Sequence, residues 1–140
     1  MDSWMIYAFL AALCAADVAI FGKLGLAGVD PTAATAVRSV VMTVFLAGVV
    51  VVLGKGPLLR QVSGRALFYV VLSGAAGALS WLFYFWALQS GPASAVAAID
   101  RSSVVLVLIL AVVFLAEPWS WRTALGAVLI AAGATLISIR

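Results

Sequence analysis

Residues 92–115 read PASAVAAIDRSSVVLVLILAVVFL, and the chain then turns through Ala116-Glu117-Pro118 into a second apolar stretch, Trp121 to Ile139. A bilayer span needs roughly 20 mostly apolar residues. The first stretch has that length and opens on Pro92, a residue favoured at the start of a helix. Only a few residues separate the two stretches, so they are expected to form an antiparallel hairpin. Earlier in the chain three more stretches qualify: Trp4 to Leu24, Pro31 to Leu53 and Ala66 to Leu88. The breaks between them carry turn residues, Gly28 to Pro31, Gly54 to Pro57 and Ser90 to Pro92. The expectation is an all-α integral membrane protein. It has five transmembrane helices in one domain, residues 1–140, and no loop long enough for a soluble domain.

Composition agrees. Of the 140 residues 66% are hydrophobic and 9% charged, and the mean hydropathy is +1.26. A soluble domain carries about 25% charged residues to cover its surface, so lipid must be the solvent here. The net charge of +3 suggests no nucleic-acid partner, because the basic residues sit mostly in short loops and at span ends, where they act as topology signals. Cys14 is the one cysteine and histidine is absent, which removes the commonest general base and metal ligand. No metal or cofactor is expected. The first residues do not read as a secretory signal peptide: Asp2 stands where a basic region would be, and the apolar run is span-length.

Five spans place the termini on opposite sides. The N-terminal side holds Lys55, Arg60, Arg65 and Arg122; the other holds Lys23 and Arg140. Arg38 and Arg101, inside spans, lie toward that second side and even the count. The positive-inside rule therefore gives only a weak preference for an internal N-terminus.

Asp17, Arg38, Asp100 and Arg101 fall inside the expected spans. At about 1.5 Å per residue all four land in one layer, roughly 5–8 Å to one side of the midplane. Left unpaired, four charges would cost roughly 10–14 kcal/mol, so they are expected to pair or to face water. One reading is structural: permanent ion pairs such as Asp17 with Arg38, or Arg38 and Lys23 snorkelling to the interface. The other is a polar cavity that contacts substrate or protons. Asp17 is the candidate protonatable group, since a low dielectric favours the neutral form of a carboxylic acid.

Two further patterns stand out. The second half of the third span carries Trp81, Phe83, Tyr84, Phe85 and Trp86. Trp81 and Tyr84 share a helix face and suit either a cavity wall for flat or cationic substrates or an interfacial aromatic belt. Trp4, Trp86, Trp119 and Trp121 read as belt residues. In the last span Gly126 and Gly133 lie two turns apart on one face, a seam for a dimer or for packing against the preceding span. Gly74, Gly77 and Ala78 form a smaller patch for packing inside one protomer.

These residues resemble the EamA-type branch of the drug/metabolite transporter superfamily. The resemblance rests on Asp17 with Lys23, Asp30-Pro31, Ala34-Thr35 and Arg38-Ser39. It continues through Tyr84, Ala87-Leu88, Gly91-Pro92-Ala93, Ile99-Asp100-Arg101, Glu117-Pro118 and Gly126 through Gly133. It covers essentially the whole chain. Ten-span members often carry a proline where this chain has Ser102-Ser103, and the Ile-Asp-Arg-Ser-Ser version is similar to the small single-unit bacterial and archaeal branch. The glycine pair is also similar to the dimerising helix of small multidrug resistance proteins. Ten-span members are two five-span units in inverted orientation with a midplane site, so the resemblance implies that this chain is one half. It implies a secondary transporter, an antiparallel homodimer in the cell membrane exporting a small molecule. Its substrate or proton site would draw on Asp17, Arg38, Trp81, Tyr84, Asp100, Arg101 and Ser102. A heterodimeric half-subunit and a non-transporting membrane subunit remain alternatives. No Gly-x-Ser-x-Gly or metal-ligand pattern supports an enzyme.

Overall fold

The computed structural model describes residues 3–139. Its helices are α1 (Ser3–Gly25), α2 (Pro31–Val52), α3 (Gly64–Ser90), α4 (Ala93–Arg101), α5 (Ser103–Leu115) and α6 (Trp121–Ser138), with a short 3-10 turn at Gly56–Gln61 between α2 and α3. Five helical stretches are long and apolar enough to cross a membrane, α4 and α5 together making the fourth. The spans therefore stand where the sequence places them, with ends shifted by one or two residues. The 3-10 turn and the division of the fourth span are not apparent from hydropathy. Arg140, a member of the basic set that weighs on orientation, lies outside the described residues, as does Asp2.

Local chemistry sets the helix ends. Asp30 caps α2: its Oδ1 accepts from the Ala33 N–H at 2.9 Å, and Pro31 follows at the first helical position. Such a cap is worth about 1 kcal/mol. At the other end the Lys55 N–H donates to the Val50 carbonyl at 2.9 Å and the Gly54 N–H to Val51 at 3.0 Å. That is the paired closure of a Schellman motif, and Gly54 supplies the left-handed residue it requires, at φ +64°. The α5–α6 connection closes on Ala116, which holds φ +53° without being a glycine.

The chain forms two compact units. One contains residues 1–23 and 90–140, the other residues 24–89. In the first, α6 packs against both α4 and α5, which confirms the hairpin. Its buried side chains include Ala95, Ala111, Ala127 and Ala134. Small side chains let helix backbones approach closely where lipid supplies no hydrophobic drive. In the second unit Leu26, Thr35, Phe85 and Leu88 are buried. Most other large apolar side chains are exposed, which is the surface a bilayer solvates.

The fourth span breaks at Ser102. Its N–H and its Oγ both donate to the Ile99 carbonyl, at 3.0 and 2.6 Å, and the Val105 N–H donates to the Ser102 carbonyl at 3.1 Å. Three-residue spacing replaces four-residue spacing over one turn. A serine hydroxyl that competes for a main-chain carbonyl is a known cause of bending. The Ser102-Ser103 pair is thus the sequence signal for the break.

Candidate functional site

In the unit of residues 24–89, α2 and α3 bring a cation onto an aromatic face. The Arg38 guanidinium carbon sits 3.6 Å from the centroid of the Trp81 ring and 5.7 Å from that of Phe85. Trp81 in turn meets Tyr84 edge to face at 5.4 Å and Phe85 at 6.2 Å. Phe85 is buried, Arg38 and Trp81 half-buried. Periodicity explains the grouping: Trp81, Tyr84, Phe85 and Leu88 recur at three and four residues and share one face of α3. Phe83 and Trp86 lie off that face, exposed, and pack edge to face at 5.8 Å. The Trp86 indole N–H reaches the Thr32 hydroxyl at 3.4 Å near the ends of α3 and α2.

A row of hydroxyls at four-residue spacing runs along α2, starting at Thr35, one turn before Arg38. Thr35 donates to the Pro31 carbonyl at 2.7 Å, Ser39 to Thr35 at 2.9 Å and Thr43 to Ser39 at 2.9 Å. Each hydroxyl is satisfied within the helix, so α2 tolerates a hydroxyl ladder in lipid. Among the described residues no buried side-chain polar atom lacks a partner.

In the other unit the helix break collects Asp100, Arg101 and Ser102. Arg101 lies in the last turn of α4, where a cation complements the helix dipole. Asp100 lies just ahead of the N-terminal end of α5, the end that favours an anion. Asp17 stands on α1 with its side chain exposed, between the exposed Leu13 and Phe21 one turn to either side. At the end of that helix the Lys23 ammonium donates to the Gly91 carbonyl at 2.9 Å, tying α1 to the residues that start α4. Gly126 and Gly133 are not what brings α6 against its neighbours. A Cβ on either would meet nothing within 4 Å, and the buried positions of α6 are the adjacent Ala127 and Ala134. Among the described residues no group of three or more His, Cys, Asp or Glu side chains is placed to hold a metal.

Of the residues singled out from the sequence, the structure brings Arg38, Trp81 and Tyr84 together within one unit. Asp100, Arg101 and Ser102 are consecutive in sequence and stand at the helix break of the other. Phe85, which the sequence places among the aromatics of the third span but not in the candidate site, joins the first group. Its membership follows from the same helical face, but the cation on that face depends on how α2 meets α3. No local pattern encodes that meeting.

Residues 2–139 match the model of the EamA-like transporter family. The chain belongs to the EamA-like transporter family. A relative from Sinorhizobium sp, named "Uncharacterized transporter in cobO 3'region", is 39% identical over 138 residues, covering 99% of this chain and 98% of that protein. The two chains therefore match over nearly their full lengths. No solved structure matches the chain. Membership identifies a multi-pass membrane transporter.

Proposed function

We propose that the protein is a secondary active transporter of the cell membrane that exports small metabolites or amphipathic compounds as an antiparallel, dual-topology homodimer. The carrying observation is Asp17. Its side chain is exposed on a helix otherwise flanked by apolar residues. A carboxylate facing lipid near a helix centre costs about 2.5–3.5 kcal/mol, so another surface must cover it. The near-even distribution of basic residues suits insertion in both orientations. The open faces of Gly126 and Gly133 offer a close-packing seam for a second copy.

In such a pair the inverted copies enclose one cavity, and alternating access follows as one copy rocks against the other. Asp17 is the protonatable group, Arg38 with Trp81 and Tyr84 the binding face, and Asp100, Arg101 and Ser102 the charged break that flexes. A compartment-sensitive reporter fused to the C-terminus tests the assembly. Signal on both sides of the membrane supports dual insertion. Signal on one side alone sinks the antiparallel homodimer and leaves a half-subunit that needs a different, oppositely oriented chain.

A further inference from the structure

We infer that Arg38 on its Trp81 platform is the receptor for the carboxylate or other oxyanion of a small organic solute, whose apolar part lies along the aromatic face of α3. The inference rests on the transporter reading and names its substrate class.

A guanidinium carbon 3.6 Å from the ring centroid leaves no room for an N–H edge to point at the ring, so the flat face lies on it. This stacking leaves the in-plane N–H edge, the edge that matches an oxyanion bidentately. Within the unit of residues 24–89 the one acidic residue is Asp30. Its carboxylate is engaged as the α2 cap, and eight residues of helix, about 12 Å, separate it from Arg38. The unit thus holds a half-buried cation with no carboxylate of its own beside it.

The same stack argues against a cationic substrate. Tryptophan faces attract cations, but here the protein's own cation occupies the Trp81 face. A second cation at that face would meet a like charge in a medium that screens poorly. An anion is drawn to the same place.

Depth separates a free solute from a lipid headgroup. Arg38 lies seven residues, about 10 Å, beyond the first residue of α2, and Trp81 nine residues, about 14 Å, before the end of α3. An arginine serving a lipid phosphate extends toward the interface. Here the guanidinium is held at the level of Trp81, five residues deeper than the Trp86 indole that bonds Thr32 near the helix ends.

The test uses three probes of one shape: benzoate, neutral benzamide and cationic benzamidine. Each is titrated calorimetrically into the full chain in maltoside micelles. A charge-assisted bond exceeds a neutral one by enough to favour benzoate over benzamide about fivefold to tenfold, with benzamidine weakest. Arg38→Gln should erase the difference between benzoate and benzamide. Trp81→Phe, which keeps a ring beneath the guanidinium, should retain it. Equal affinity for the three probes, tighter binding of benzamidine, or no saturation by benzoate in the millimolar range overturns the inference. The wild-type series alone decides among these outcomes, even if a variant does not fold. Repeating the benzoate titration in phosphatidylcholine discs supplies lipid phosphate without a net surface charge. Retained affinity supports a free solute; loss of benzoate binding assigns Arg38 to the lipid and overturns the assignment. Binding is read without flux, so benzoate selectivity with no transport would fail the transporter reading alone.

Discussion

Replacing Arg38 with methionine and Trp81 with leucine, singly and together, isolates the contact that joins α2 to α3. The guanidinium carbon lies 3.6 Å from the Trp81 centroid, well inside the roughly 6 Å limit at which a ring face attracts a cation. The pair is half-buried, so its coupling should fall between the exposed and the desolvated values, about 1–2 kcal/mol. The Phe85 centroid is at 5.7 Å, near that limit and on a weaker ring, so its coupling to Arg38 should stay below about 0.5 kcal/mol. The assay is reversible unfolding in mixed micelles of maltoside and dodecyl sulfate, read as a double-mutant cycle. Single variants lose packing as well as the cation–ring term, and the cycle cancels that loss. A coupling with Trp81 indistinguishable from zero, or one with Phe85 larger than with Trp81, would show that the cation–ring contact does not join the two helices. The first outcome would also leave the substrate receptor without its platform.

Three further outcomes are expected. Gly54→Ala forces an L side chain into the left-handed position of the α2 closure and should cost about 1–2 kcal/mol, whereas Ala116→Gly relieves the same conformation after α5 and should gain up to about that much; both are read from the same unfolding midpoints. Gly133→Ile enters open space in the protomer and should leave its thermal stability near wild type while shifting cross-linked dimer to monomer, but Ala134→Ile, at a buried position of α6, should destabilise the protomer by about 1–3 kcal/mol; equal effects of the two on stability would contradict the separate roles of the two faces. Asp17→Asn, in vesicles, should flatten the pH dependence of transport without abolishing assembly, and an unchanged profile would remove Asp17 as the proton carrier.

The break in the fourth span shows where hydropathy stops being informative. Lipid rewards the continuous apolar run from Val104 to Leu115 and says nothing of how carbonyls are shared just before it. The break arises because the Ser102 hydroxyl and amide take the Ile99 carbonyl together, a main-chain event that no sliding average registers. The α6 glycines make a related point. Their spacing shows a smooth face but not whether a neighbour in the same chain fills it. The helix turns Ala127 and Ala134 inward, about 100° from the glycines, and leaves the smoother face open.

Arg38 is the clearest case. From the sequence it is one member of a charge layer, as ready to pair with Asp17 or to snorkel as to bind anything. In the structure an aromatic ring holds it at depth.

The solvent, the number of spans and their helical state all follow from sequence alone. A backbone in hydrocarbon must satisfy its own hydrogen bonds, so apolar runs of span length leave no alternative to helix. Sequence also names the residues that would be expensive in that solvent, and the order of its motifs points to the EamA family. Which of those residues meet, and which helix faces stay open, is settled by tertiary packing. Helix-to-helix contacts in lipid depend on packing and on individual polar groups rather than on a hydrophobic drive, and those terms are set by side chains far apart in the chain, as Arg38 and Trp81 are.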